Sequence, residues 1–197
     1  MFLCLGRTDG VDCRRRLPST LSGAAWPLPL RAANIRSGSV ASVSDETVTW
    51  APRAADHDLL PAEKVEAWKD FGNWPDRVYF PSLVGLRLEE MRADYSRMRL
   101  PFRPELRQPQ GLVHGGAIAT LIDTVVVPAI ASAYDEPRGF STISMNIRYM
   151  GAVRDEDIIG EGWITQRGGS IIFSSAELAT VEGRIVAQGA LVYKLMR

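Results

Sequence analysis

The chain is predicted to be an α+β domain in which one long apolar helix is wrapped by an antiparallel sheet. Three observations carry this expectation. The stretch from Gly111 to Tyr134 is apolar almost throughout, the pattern of a helix buried on nearly all sides. After it come four runs rich in Val, Ile, Phe, Tyr and Thr, near 140–150, 157–167, 170–181 and 184–196, and each alternates as a strand does. Short turns at Gly168-Gly169 and Glu182-Gly183 separate the later runs, so these neighbours pair as hairpins.

Residues 1–43 are expected to stay outside the core. Pro18, Pro27 and Pro29, with scattered Gly, Ser and Arg, break every periodic pattern there, as in a disordered tail. Arg14, Arg15 and Arg16 give a superficial likeness to a transit peptide, but Asp9 and Asp12 sit among the arginines and the sequence shows no clear amphipathic helix pattern. A start assigned too far upstream is the other reading. Residues 44–82 are read as a linker with a short accessory helix. Pro61 opens that helix, Glu63 and Glu66 occupy its first turns and Gly72 closes it, which is helix-end chemistry. Val65, Trp68 and Phe71 form its apolar stripe, and His57 just before it is expected on a solvated loop.

The domain proper is assigned to 83–197. Leu83 to Leu100 alternates as a hairpin around a polar turn near Arg92-Ala93-Asp94, with Arg97 and Arg99 on a solvated face. Pro101, Pro104 and Pro109 make a stiff approach to the long helix, where Gln108 is the polar side chain best placed to reach the helix mouth. Asp135 to Gly139 is read as the turn that leaves the helix.

Composition narrows the function. The 197 residues are 46% hydrophobic with a formal net charge of zero and a pI near 6.7, which suits one core and gives no electrostatic footprint for nucleic acid. Both cysteines, Cys4 and Cys13, lie in the tail, which fits a reducing compartment, read as cytoplasmic, and offers no disulfide framework. With two histidines and no core cysteine, zinc has too few ligands and no metal site is expected. No Gly-x-Ser-x-Gly elbow or phosphate-binding glycine loop occurs. The long apolar stretch is interrupted by Asp123 and Pro128, so no membrane insertion is expected.

Asp123 is the residue to explain. A carboxylate inside an apolar helix costs several kcal/mol unless it is paired, protonated or employed. Burial disfavours its charged form and makes it a better proton acceptor for a water held beside it. The alternative is a structural acid that caps nearby backbone or pairs with a buried Arg such as Arg148. At the mouth, Gly115-Gly116 lets the backbone turn and offers bare N–H groups at a helix start, a donor cluster for a carbonyl or anion. Nine residues separate His114 from Asp123, roughly 13 Å along a helix axis and on opposite sides of it. If both serve one site, it lies between two subunits, and a symmetric dimer carries two such sites.

These residues carry a resemblance. Gly-x-x-His-Gly-Gly with an Asp nine residues after the His, the strand from Ser141 to Ala152, Gln166-Arg-Gly-Gly-Ser and Gly183-Arg-Ile-Val-Ala-Gln-Gly-Ala together resemble the hot-dog-fold acyl-CoA thioesterases. The branch it is similar to includes the phenylacetyl-CoA and 4-hydroxybenzoyl-CoA type enzymes, and the likeness runs from about Leu83 to the C-terminus. It implies a hydrolase that releases free acid and coenzyme A from an acyl-CoA substrate, with no cofactor, as a homodimer or a dimer of dimers. It further implies Asp123 as the acid that assists water, the Gly115 N–H polarising the thioester carbonyl, and His114 orienting the thioester or departing sulfur. Thr142 would hold the attacking water. Gln108, where relatives have Asn, would polarise or orient on a longer arm, and Arg167, Gly168, Gly169 and Ser170 would hold the nucleotide and phosphates. A non-catalytic acyl-CoA-binding or regulatory hot-dog protein and a hot-dog hydratase or dehydratase are the rival readings; the intact His-Gly-Gly and Asp123 count against the first and the spacing against the second. The sequence does not identify the acyl group, although Val125, Val126, Pro128, Ala129, Tyr149 and Met150 are candidates to shape its pocket.

Overall fold

The computed structural model describes residues 53–72 and 74–196; the tail expected over 1–43 lies outside them. The elements run in the order α1 (Ala62–Glu66), α2 (Phe80–Val84), β1 (Arg87–Arg92), β2 (Tyr95–Leu100), α3 (Gly115–Ala131), β3 (Phe140–Tyr149), β4 (Ile158–Arg167), β5 (Ile171–Thr180) and β6 (Ile185–Leu195). The six strands form one sheet in the order β1-β2-β4-β5-β6-β3, with every pairing antiparallel. It is the hot-dog fold, with α3 held against one face of the sheet.

Alternation decides which face each strand buries. On β6, Ala187, Leu191, Tyr193 and Leu195 turn inward, and they meet Leu121, Ile122, Val125 and Val126 of α3 in one core. Val125, Val126, Pro128 and Ala129 are therefore core residues, not the pocket walls suggested by the sequence. On the other face, Glu161 is fully buried beneath the segment that begins at Arg53. Its carboxylate accepts the Tyr95 hydroxyl at 2.7 Å and the Arg53 N–H at 3.0 Å. His57 is drawn into the same layer, its Nδ1 bonded to the Ala93 carbonyl at 3.0 Å and its ring stacked on Tyr95. It is thus docked, not on a solvated loop.

Three local expectations also shift. The hairpin begins at Arg87, because Phe80–Val84 closes into a helical turn that Gly85 ends in the left-handed region at φ 89°. Phe71 docks the accessory segment as expected and Trp68 packs on Phe71 with ring centroids 5.1 Å apart, but Val65 points outward. Arg97 and Arg99 do not simply face water: Arg97 bonds Glu89 at 3.1 Å and Arg99 bonds Asp157 at 3.2 Å.

Candidate active site

The mouth of α3 is built by the His114-Gly115-Gly116 sequence. His114 is the N-cap, and its Nδ1 accepts the Gly116 N–H at 2.8 Å. The His114 carbonyl takes the N–H groups of Ala117 and Ile118. Of the first-turn donors, the Gly115 N–H alone meets no acceptor among the described residues. The donor cluster expected from sequence therefore reduces to one open amide at the positive end of the helix dipole. Gly116 is glycine because an added Cβ would lie 2.9 Å from His114 Nδ1. Close approach is the reason, not a reversal of the backbone, since neither Gly115 nor Gly116 has positive φ. The reversal belongs to Gly111, at φ 79°, which closes the turn joining Gln108 to Leu112.

That turn places Gln108 beside the mouth. Gln108, Leu112, Gly115, Ile118, Tyr149 and Val153 help line a cleft of about 400 Å³, so Gln108 and Gly115 share one space. Tyr149 fixes its wall by donating its hydroxyl to the Gly115 carbonyl at 3.1 Å. His114 is exposed at the rim. With Nδ1 acting as acceptor, its Nε2 is the nitrogen left for an external partner.

Asp123 sits two turns further along the helix, half-buried instead of fully enclosed. Thr142 donates its hydroxyl to Oδ1 at 2.8 Å, and the Tyr193 hydroxyl lies 2.7 Å from the same oxygen and 2.6 Å from the Asp123 carbonyl. One phenolic proton thus bridges two acceptors. Oδ2 receives no hydrogen bond from the described residues, and Arg148, on exposed edge strand β3, is not a partner. A bulge makes the Thr142 contact possible: β3 and β6 slip register between Thr142 and Ser144. The extra residue, Ile143, lets Thr142 and Met145 share the inner face although three positions separate them.

Tyr193 was not picked out from the sequence. Only 2% of it is exposed. Burial, reinforced by the charge of Asp123, holds its hydroxyl protonated far above the ordinary tyrosine range. The available signal was its place on the inner face of β6, in step with Leu191 and Leu195.

Arg167 departs from the expected role. Its guanidinium lies inside the fold, donating to Asp94 at 2.9 Å and to the carbonyls of Ala129 and Ile130 at 3.0 and 3.2 Å. It closes the C-terminal end of α3, so it is not a free cation for a phosphate. Gly168 is also engaged, donating to the Ile171 carbonyl at 2.8 Å. Gly169 and Ser170 remain at the open tip of the turn, with nothing within 4 Å of a Cβ built on Gly169.

The thioesterase superfamily profile matches residues 110–187, which span both the helix mouth and Asp123. This part of the chain is similar to the thioesterase superfamily. Human acyl-coenzyme A thioesterase 13 is 33% identical over 81 residues, covering 40% of this chain and 57% of that one. A conserved protein of Pseudomonas aeruginosa is 26% identical, with a TM-score of 0.58 over 61% of this chain and 95% of its own. PaaI, from the phenylacetic acid degradation operon of E. coli, shares the fold at 12% identity, with a TM-score of 0.60 over 68% of this chain and 96% of its own.

The chain therefore presents two separate clusters of candidate site residues. His114, Gly115 and Gln108 form one at the helix start. Asp123, Thr142 and Tyr193 form the other, eight residues after Gly115 and roughly 12 Å along the axis. Among the described residues, no helix is long and apolar enough to cross a membrane.

Proposed function

We propose that this thioesterase hydrolyses acyl-CoA thioesters by water attack assisted by Asp123, in active sites shared between two copies of the chain. The observation that carries the reading is the separation of an open Gly115 N–H and an open Asp123 Oδ2 on one rigid helix. Two antiparallel copies of α3 would bring each mouth to the other's acid. An exposed flank supports such pairing: Gly116, Thr120, Asp123 and Val127 recur on one side of α3 with at least partial exposure. Strand β3 adds a free sheet edge carrying Met145 and Tyr149, both exposed. A homodimer, or a dimer of dimers, follows.

In the shared site, the thioester oxygen accepts the Gly115 N–H of one copy, which opposes the negative charge that grows on it. Asp123 of the other copy takes a proton from water as that water attacks the carbonyl carbon. The carbon–sulfur bond breaks, and the leaving thiolate takes up the proton that Asp123 received, which restores the carboxylate and leaves free coenzyme A and a carboxylic acid. Thr142 donates a hydrogen bond to Asp123 and keeps lone pairs that can accept from the attacking water, while Tyr193 fixes the carboxylate. His114 Nε2 faces the departing sulfur, and Gln108 helps to polarise or orient from the cleft wall. The nucleotide end falls to the tip at Gly169 and Ser170. Coenzyme A is a product, no metal or other cofactor is needed, and a soluble cytoplasmic setting fits the cysteine usage.

The test is complementation. Asp123→Asn and Gly115→Pro chains, each inactive alone, are mixed under conditions in which differently tagged chains exchange. Thiol release from a panel of acyl-CoA substrates should return, because a heterodimer regenerates one intact site. Exchange without recovery refutes the shared site, and a wild-type enzyme silent on the whole panel refutes hydrolysis.

A further inference from the structure

Beyond the C-terminal end of α3 lies a cavity of about 640 Å³ that neither half-site uses. Its walls are apolar and come from two parts of the chain. Ala67 and Trp68 face it from the accessory segment, and Ala131, Tyr134 and Phe140 face it from the helix end and the start of β3. The volume falls within the roughly 300–1,000 Å³ of ordinary small-molecule sites, which pair apolar walls with a few fixed polar groups.

The polar groups at its margin already have partners or carry the wrong sign for an anion. Lys64 bridges Asp135 at 3.1 Å, tying the accessory helix to the turn after α3. The Arg138 guanidinium lies over the Tyr134 ring at 4.9 Å. Glu63, Asp135 and Glu136 add negative charge at an exposed rim. A phosphate-bearing group is disfavoured there, whereas a neutral hydrocarbon or aryl group gains burial.

A flank of α3 leads from the acid towards the cavity. Asp123, Val127 and Ala131 recur at every fourth position and are all half-buried, so they form one strip on the flank of α3. The strip runs roughly 12 Å from Asp123 to the cavity wall. On the sheet side, Phe140 stands edge-on to Tyr193 at 5.9 Å, and Tyr193 bonds Asp123.

We infer that this cavity receives the apolar far end of the acyl group, so that the enzyme selects acyl chains long enough to cross the Asp123–Val127–Ala131 strip. The inference rests on the hydrolytic reading above and adds the substrate class. Short acyl groups end before the cavity and gain nothing from it. Medium and long chains bury their terminal methylenes among Trp68, Tyr134 and Phe140. The accessory segment is then a specificity element, not a linker.

The test uses the full chain. Ala67→Trp places an indole in the cavity from the accessory side, away from both half-sites. The ratio of kcat/KM for dodecanoyl-CoA over butyryl-CoA should fall by roughly ten-fold or more, since each excluded methylene forfeits several-fold in binding. Trp68→Ala enlarges the cavity and should shift the preferred chain towards palmitoyl-CoA. Binding of dodecyl-CoA and ethyl-CoA thioethers, measured by calorimetry, should show the same change in ratio without turnover. A wild-type enzyme that hydrolyses acyl-CoA, with a chain-length preference that neither variant moves, overturns the cavity assignment and leaves the hydrolytic reading intact. A wild-type enzyme that hydrolyses nothing sinks the hydrolytic reading first. Loss of melting temperature in Ala67→Trp with an unmoved ratio would mean that the chain itself fills the cavity, and also overturns the assignment.

Discussion

The Gly115→Pro substitution isolates a single backbone hydrogen. Gly115 is the first residue of α3, a position where proline is tolerated because its missing N–H would have no partner inside the helix. The preceding residue is already suited to it: His114 has φ −64° and ψ 135°, the extended conformation that residues before proline prefer. The Gly115 N–H meets no acceptor in the described chain, so its removal breaks no internal bond. A Cβ at this position stands 3.5 Å from the Tyr149 ring, an ordinary contact. Stability should therefore change by no more than about 0.5 kcal/mol.

Catalysis should respond very differently. If this N–H faces the thioester oxygen as charge develops on it, its loss costs about 10²–10³ in kcat, or about 2.7–4 kcal/mol. Gly115→Ala is the paired control, since it adds the same Cβ and keeps the N–H. Initial rates of thiol release, followed with a colour reagent over a range of substrate concentrations, separate kcat from KM. Thermal unfolding of all three proteins checks the fold. A folded Gly115→Pro enzyme with kcat within about three-fold of wild type would refute the amide's role. A Gly115→Ala enzyme as impaired as the proline variant would show that the added Cβ, not the lost N–H, does the damage.

Three other outcomes follow from the same geometry. Tyr193→Phe removes one of the two hydroxyls on Asp123 Oδ1 and should lower kcat by roughly ten-fold with KM little changed, since a hydrogen bond to a charged group is worth about 1.5–3 kcal/mol; a wild-type kcat would exclude Tyr193 from positioning the acid. Gly162→Ala brings a Cβ to 2.9 Å from the helix backbone at Val125 and Val126, so it should destabilise by about 1–3 kcal/mol or more in urea titration, whereas Gly169→Ala, with open space around it, should be neutral; equal midpoints would contradict the packing. Burial raises the tyrosine pKa of both Tyr95 and Tyr193 above the usual 10.0, so above about pH 10 the unfolded chain releases protons that the folded one keeps, and stability should be full below that pH and fall above it. Urea midpoints measured across this range should show the decline, less steeply in Tyr193→Phe, and a flat profile would contradict it.

The sequence made the strands and the long helix legible because their signals are local. Expected and observed limits of β3, β4, β5 and β6 differ by a residue or so, since alternation and glycine turns act over a few positions. The helix at Phe80–Val84 falls across the expected boundary between linker and hairpin, because five residues around Pro81 are too few to show a helical period. The family likeness points to Asp123 and Thr142 as separate candidates, whereas Tyr193 lies 70 positions from the acid it bonds. Nothing in the run from Leu191 to Leu195 distinguishes a packing tyrosine from a positioning one. Arg167 misled for the same reason. Beside two glycines it resembles an anion-binding turn, and only the distant Asp94 and the carbonyls ending α3 draw it inward. Glu161 is the converse case, a charged residue whose burial depends on the distant Tyr95 and Arg53 backbone that bond its carboxylate.

The position of Asp123 depends on how near α3 lies to the sheet, and that distance is set by glycines in three inner-face positions. A Cβ on Gly160 would stand 3.1 Å from Leu121, one on Gly162 2.9 Å from Val125, and one on Gly189 2.5 Å from Ile122. Without those side chains the helix settles deep enough for Ile122 to bury fully against β6. Asp123, the next residue, then falls at the margin of the sheet instead of within the core. Tyr193 lies on the same face of β6 as Gly189, four residues further along the strand, and its length spans the gap that the smaller residue does not. The hydroxyl arrives at Asp123 because the backbone beneath Ile122 carries no side chain. An acid that would be costly in the middle of an apolar helix is thus given two donors on its inner oxygen, while its outer oxygen is left free of internal bonds. The arrangement that makes the acid tolerable for folding is also the one that aims it out of the chain, where a second copy would present Gly115.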